Sequence, residues 1–273
     1  MLSRPVYIHA QSEVFNILQL TDLHLTADNA MHSCQQRFEK VLNQALEEAA
    51  EQNVVCDLIL VTGDLVSQVE PAIYDYIFAL LTATYIPFAC IAGNHDVTDE
   101  VGHDLPFDQR QLIAHPADPR LLSRYVIDSD YWQILLINSA IAGRVAGEIE
   151  EDDIDWLCAQ LDRCDKPALL AIHHHLIPMC SEWIDAHMVQ NAEMFWQRTK
   201  DCDNLRVIIN GHTHQEQVQH RNGVTVYTTP STCYQYQPLN DEFAYDKTSR
   251  PGFRWLQLAN NGQVASWVKR LDT

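Results

Sequence analysis

At roughly 150 residues per domain, a chain of 273 residues accommodates one large α/β domain or two small ones, and it is long enough to bury a core without covalent staples. Its 18 Lys+Arg against 37 Asp+Glu leave a net charge of −19, which opposes binding to a nucleic-acid polymer or an anionic membrane surface over most of the exterior. With 47% hydrophobic and 20% charged residues, and no apolar run near the roughly 18 residues that span a bilayer, the composition excludes collagenous, disordered and membrane-spanning classes.

The first residues, Met1 to His9, carry no charged leader ahead of a long apolar run, so the expected compartment is the cytoplasm. Residues 14–20 read as the first strand. Phe38, Val41, Leu42, Ala45, Leu46 and Ala49 then recur on one helical face with Glu39, Lys40, Glu47 and Glu48 on the other, which predicts an amphipathic helix. Further strands are expected at 57–61, 87–91, 168–172 and 205–209, with weaker helical patterns over 71–83, 149–161 and 183–199. Strands alternating with helices argue for βαβ units around largely parallel sheet.

The pattern changes in two places, at 125–137 and after residue 214. Residues 125–127 and 132–137 flank a polar tetrad and predict a hairpin. Residues 216–220 and 224–229 flank Arg221-Asn222-Gly223, and 253–258 and 264–268 flank Asn260-Asn261-Gly262, where Asn-Gly supplies the positive φ of hairpin turns. Residues 230–251, with prolines at 230, 238 and 251, form a long loop of the kind that is usually functional; covering a site and building an interface are both open to it. The eight cysteines, at 34, 56, 90, 158, 164, 180, 202 and 233, show no C-x-x-C pair and are expected to be small reduced residues of the interior. The preferred architecture is α/β, a single domain over 1–273 with two sheets, 215–273 packing on it as hairpins and loop.

Each of the five buried strands runs into a polar cluster: Thr21-Asp22-Leu23-His24, Gly63-Asp64, Gly93-Asn94-His95-Asp96, His173-His174-His175 and Gly211-His212-Thr213-His214. Ligands of α/β sheets bind beyond the carboxyl ends of strands, so these loops are expected to share one cleft. Asp oxygen, Asn amide oxygen and His nitrogen together suit Fe, Mn, Zn or Co better than Ca. Asp-x-His and His-x-His can each present two donors from one loop, as a site for two adjacent cations requires.

The ordered set D-x-H, G-D, G-N-H-D, H and G-H-x-H resembles the calcineurin-like metallophosphoesterase superfamily. Within it, Gly147-Glu148 leading to Trp156-Leu157, Trp183-Ile184-Asp185-x-His187 with Asn191, Thr229 to Cys233, and Pro251-Gly252-Phe253-Arg254 are similar to the class III bacterial 3′,5′-cyclic AMP phosphodiesterases. The resemblance implies two packed mixed β-sheets flanked by helices, with the active site at strand C-terminal ends. It implies two divalent metal ions, Fe²⁺ or Mn²⁺ first and Zn²⁺, Co²⁺ or Mg²⁺ as alternatives: Asp22, His24 and His214 on one, Asn94, His173 and His212 on the other, Asp64 bridging. His173 is taken from the His173-His174-His175 run because it directly follows the strand.

The activity implied is hydrolysis of cyclic AMP to 5′-AMP by a hydroxide bridging the metals, with Asp64 and His95 catalytic and His24, Asp64, Asn94, His95 and His214 around the substrate. His95 would protonate the leaving oxygen or, alternatively, only orient a ligand. His174 either lines the pocket or points away; Trp183, His187 and Asn191 either contact nucleoside or pack a helix; Ser231 to Cys233 either border the site or form a plain turn. His9, His32, His103, His115 and His220 are expected at the surface, and the acidic run 148–155 as a solvated helix start. Competing readings are a broader phosphodiesterase or phosphomonoesterase, and a non-catalytic protein-binding scaffold, against which all seven ligand positions carry competent residues. The expected partner is a small cyclic nucleotide, with no nucleic-acid polymer and no membrane; oligomeric state is unassigned.

Overall fold

A computed structural model describes residues 6–27, 32–102, 105 and 109–272. In chain order, β1 (Val6–Ile8) and β2 (Val14–Leu20) precede α1 (His32–Glu51), β3 (Leu58–Thr62), α2 (Pro71–Ala83) and β4 (Phe88–Ile91). A short ribbon, β5 (Thr98–Val101) and β6 (Gln111–Ala114), leads to the hairpin β7 (Tyr125–Ser129) and β8 (Gln133–Leu136), then α3 (Glu151–Arg163) and β9 (Ala168–Ala171). Two short helices, α4 (Glu182–Asp185) and α5 (Ala192–Arg198), precede β10 (Leu205–Asn210) and the hairpin β11 (Gln217–Arg221) and β12 (Val224–Thr228). The chain closes with β13 (Gln235–Tyr236), β14 (Tyr245–Asp246), β15 (Gly252–Ala259) and β16 (Val264–Arg270).

Two mixed sheets result, one ordered β1-β7-β8-β9-β10-β12-β11 and the other β16-β15-β2-β3-β4. The strands that feed the predicted ligand loops are parallel in each: β2, β3 and β4 in the smaller sheet, β9 and β10 in the larger. Their apolar residues serve two faces, as strands buried on both sides must. Ile17, Leu58, Leu60 and Ile91 meet Ile134, Leu169, Val207 and Ile209 between the sheets. Leu18, Ile59 and Val61 face outward onto Phe38, Val41 and Ala45 of α1 and Ile73, Ile77 and Leu81 of α2. On the far side Leu135, Leu170 and Ile208 pack against Ile154 and Leu157 of α3 and Phe195 and Trp196 of α5. Each such side chain, once buried, contributes about 1.5–3 kcal/mol.

Several expectations are corrected. The helical pattern over 183–199 breaks into α4 and α5, because Asn191 turns away to bracket Ile149, its Nδ2 donating to the Ile149 carbonyl (2.6 Å) and its Oδ1 accepting from the Ile149 amide (3.0 Å). In the acidic run, Asp153 is buried and ion-paired with Arg124 instead of solvated. His115 is half-buried and pairs with Asp99 at 2.9 Å, whereas His9 and His220 are exposed; the side chain of His32, all of His103 and Met1 to Pro5 lie outside the described residues.

The cysteines are corrected too: Cys34, in the first turns of α1, is disulfide-bonded to Cys233 after β12, their Cα atoms 4.9 Å apart. A separation of 199 residues leaves no local spacing signal, and only the packing of α1 beside the segment after β12 brings the two together. The other six are free, Cys56 and Cys90 buried as expected. Because the bond closes so long a loop, reduction is expected to cost about 2–4 kcal/mol, a fall in Tm of roughly 5–15 °C. Calorimetry with and without a thiol reductant checks this; an unchanged Tm with both thiols alkylated would remove the bond from the stability of the fold.

Candidate metal centre

The loops that follow β2, β3, β4, β9 and β10 meet at the carboxyl ends of the two parallel sets. Backbone hydrogen bonds tie the first pair, Asp22 N–H donating to the Gly63 carbonyl and His24 N–H to that of Asp64, both at 3.0 Å. Gly63 sits at φ +95°, and a Cβ there would run into the His173 imidazole; one on Gly93 would run into the Asp64 carboxylate. Glycine is required at both because ligand side chains occupy the space a side chain would take.

The geometry divides the predicted ligands into two groups. In one, His24 Nε2 and His214 Nε2 lie 3.1 Å apart, with Asp22 Oδ1 3.2 Å from His214. In the other, Asn94 Oδ1 is 3.3 Å from His173 Nε2 and 3.1 Å from His212 Nδ1. Asp64 stands between them, its Oδ2 3.7 Å from His24 Nε2 and 3.5 Å from His173 Nε2. All seven side chains are at most 5% exposed.

This arrangement fits cations. His173 and His214 each give Nδ1–H to a backbone carbonyl, of Thr62 (2.7 Å) and Tyr234 (2.8 Å), so each turns an Nε2 lone pair into the cluster. Burial holds His24 and His212 well below the ordinary imidazole range, hence neutral, and leaves His24 Nδ1 and His212 Nε2 without partners. Among the described residues neither Asp22 nor Asp64 pairs with Lys or Arg, and two buried carboxylates without a cation are costly. Against its own desolvation, the neighbouring imidazoles of His173 and His95 hold Asp64 well below the usual carboxylate range; burial lowers His173, but Asp64 prevails and lifts it to about 9.

His95, not a predicted ligand, groups with His24 and Asp64, their donor atoms within 4.8 Å of one another. Its amide donates to Asp64 Oδ1 (2.9 Å), its Nδ1 donates to the Ser67 carbonyl (3.2 Å), and its partly exposed ring stands edge-on to His24 at 4.9 Å. His174 packs its ring against those of His173 (4.8 Å) and His212 (4.5 Å) inside the cluster, but commits Nδ1 to Ser139 Oγ (2.8 Å) and Nε2 to the Val145 carbonyl (3.0 Å), and His175 faces Asp185 at 3.3 Å. Ser231 to Cys233 do border the site: Ser231 Oγ donates to the Asp22 carbonyl (2.7 Å) and Thr232 N–H to that of Thr21 (3.1 Å). His187 lies half-buried within electrostatic reach of Glu100 and His175, and Trp183 packs on Tyr236 at 5.0 Å.

Sequence reasoning gave no role to two features. Asp96 accepts from Gly93 N–H (2.8 Å), Leu65 N–H (3.2 Å) and Tyr74 Oη–H (2.9 Å), pinning two ligand loops to α2; burial, then Asp64, raises its carboxyl to about 7. Its signal was its place in Gly93-Asn94-His95-Asp96. The other is the pair of rings Tyr234, stacked on His24, and Tyr236, stacked on His214, through which the loop 230–251 covers the site, one of the two roles left open to it. A cleft of about 420 Å³ opens beside it, bordered by His214, Gln215, Val218 and Tyr236.

Two parallel-strand sets delivering Asp, Asn and His to one buried cluster define a metal-dependent phosphoesterase. The chain belongs to the calcineurin-like phosphoesterase family, whose sequence model matches residues 15–216. It is 62% identical over 267 residues to a Psychrobacter arcticus protein named "Probable cyclic nucleotide phosphodiesterase", covering 94% of each chain. It is 30% identical over 264 residues to the Haemophilus influenzae 3′,5′-cyclic adenosine monophosphate phosphodiesterase CpdA, covering 96% of this chain and 92% of that one. Among solved structures, a dimetal phosphatase from Danio rerio shares the fold, with a TM-score of 0.56 at 14% identity over 94% of this chain and 99% of that one. No described helix is long and apolar enough to cross a membrane.

Proposed function

We propose that this protein hydrolyses 3′,5′-cyclic AMP to 5′-AMP, lowering an intracellular second messenger, and that one domain spanning the chain does so in the cytoplasm. The observation that carries this reading is the complete donor set around Asp64 in a chain so similar, over nearly its whole length, to proteins named for cyclic-nucleotide hydrolysis. Asp22, His24 and His214 hold one divalent ion, Asn94, His173 and His212 the other, and Asp64 both; Fe²⁺ or Mn²⁺ suit the mixed N/O donors best, with Zn²⁺, Co²⁺ or Mg²⁺ as alternatives. When bound, the ions supply Lewis-acid neutralisation of the phosphate oxygens and acidify water.

Water oxygen bonds to phosphorus as the P–O3′ bond breaks, and the departing O3′ needs a proton. His95 would supply it from Nε2 as the imidazolium, with its Nδ1–H held by the Ser67 carbonyl (3.2 Å), and would be recharged by the proton that the attacking water loses. His24, Asp64, Asn94, His95 and His214 surround the phosphate, and the buried histidines and covering tyrosines exclude bulk water. His95→Ala is therefore expected to lower kcat about 10²–10⁴-fold with two metals still bound; loss of metal instead would give His95 a purely structural role.

The reading is tested by hydrolysis of 3′,5′-cyclic AMP after chelation and addition of Mn²⁺ or Fe²⁺, beside 2′,3′-cyclic AMP, bis(p-nitrophenyl) phosphate and a phosphomonoester. Metal-dependent release of 5′-AMP in preference to the other products supports it. Cleavage of the chromogenic ester alone would discard the substrate, and silence on every ester at full metal occupancy would favour a scaffold.

A further inference from the structure

The segment after β12 lays two rows of rings over one side of the cluster. The inner row is Tyr234, stacked on His24 (centroids 4.9 Å apart, planes at 28°), and Tyr236, stacked on His214 (4.2 Å, 20°). The outer row steps away from it: Tyr245 meets Tyr234 edge-on at 5.4 Å, Phe243 meets Tyr236 at 5.4 Å, and the two outer rings meet each other at 5.0 Å. Trp183 of α4 backs Phe243 at 5.1 Å. The inner row is largely covered, yet Phe243 is 52% and Tyr245 51% exposed. Two adjacent half-exposed aromatic rings packed on others, beside a polar site, mark a binding surface more than a packing accident.

The outer row stands one ring removed from the centre. Tyr245 lies within electrostatic reach of Arg110 and Glu100, on the β5–β6 ribbon that leaves the His95 loop. Two ring contacts, Tyr245 to Tyr234 and Tyr234 to His24, connect it to the histidine that stands edge-on to His95. We infer that Phe243 and Tyr245 are the seat of the substrate's purine, stacking on the base while the phosphate lies at the metal cluster. The inference rests on the cyclic-nucleotide reading above. Rings suit this occupant because every base offers a π face, and each stacked base contributes about 1–3 kcal/mol. In a chain of net charge −19, an anionic nucleotide also needs an attraction that is not coulombic away from the metals.

The test is direct calorimetric titration of the metal-loaded protein with 5′-AMP and with ribose 5-phosphate, which share phosphate and sugar but differ in the base. The unaltered protein is expected to bind 5′-AMP at least about tenfold more tightly. Tyr245→Ala and Phe243→Ala are each expected to shrink that ratio about fivefold or more through weaker 5′-AMP binding, with ribose 5-phosphate unmoved and metal content intact, while Tyr245→Phe retains it. A ratio untouched by both alanine variants overturns the proposal. So does its collapse in Val218→Trp, which fills the neighbouring cleft, since the base would then lie there. A change in solution mass in Phe243→Ala with the ratio unchanged would make the rings a contact between copies of the chain, again overturning it. Failure of the wider reading looks different: turnover of 5′-AMP itself, or no preference for either cyclic AMP or 5′-AMP over base-free esters in the unaltered protein.

Discussion

Asp64→Ala is expected to abolish hydrolysis, with kcat/KM falling by at least about 10³–10⁴, or roughly 4–5.5 kcal/mol of transition-state stabilisation. The carboxylate reaches both ligand groups, Oδ2 lying 3.5 and 3.7 Å from His173 and His24, and Oδ1 holds the amide of His95 at 2.9 Å. No other residue of the cluster touches both groups and the proposed proton donor. Its loss therefore removes a ligand and the placement of His95 together, an effect larger than the sum of two peripheral changes. The fold is expected to survive, because the side chain belongs to none of the three apolar layers. Kinetics, metal analysis and circular dichroism on the purified variant check this; activity within tenfold of the parent would sink the shared-ligand assignment.

Removal of metal is expected to be felt almost as strongly, in stability. A ligand that binds only the folded state, at one hundred times its Kd, adds about 2.7 kcal/mol per site, so two sites give about 5 kcal/mol and a rise in Tm of roughly 10–20 °C. The gain depends on pH in a definite direction. In the metal-free protein the pKa of His173 stands at about 9 against 6.5 unfolded, so its ion pair with Asp64 stabilises fully below pH 6.5 and is lost as pH rises through about 9. Metal must expel that proton to use Nε2. The difference in Tm between loaded and stripped protein should thus widen between pH 6.5 and 9; a difference that narrows over that interval would remove His173 from the ligand set.

What was legible in the chain followed from short-range signals. The apolar runs ahead of each ligand cluster were strands because both faces of β2, β3, β9 and β10 are buried, and the Asn-Gly pairs marked the β11–β12 and β15–β16 turns. The side chains that converge at the cluster were legible because metal chemistry restricts the residue types that could serve it and the glycines flanking them. Long-range facts were not. Cys34 and Cys233 give no hint of each other across 199 residues, and β1 is only three residues long, joined to β7 far along the chain. The 183–199 pattern mimicked one helix because Trp183 and Asn191 have unrelated burial partners, Tyr236 and Ile149. Tyr234 and Tyr236 were invisible as site residues since no periodicity distinguishes a ring that covers a histidine from one that fills a core.

Five of the seven predicted donors, Asp22, His24, Asp64, His212 and His214, hold φ between 48 and 66°. Such left-handed backbone costs an ordinary residue about 1 kcal/mol or more, although Asp and His tolerate it better than most. The centre is therefore assembled on a tensioned chain, and a mutation to glycine at any of these positions would relax the backbone while deleting a donor. Selection for turnover and selection for a hardy fold pull against each other at the same residues. Once a descendant no longer needs hydrolysis, the stable direction of change leads away from the chemistry, and recovering it requires rebuilding tension against that gradient. Loss of activity in this architecture is a short evolutionary step, and its reversal a long one.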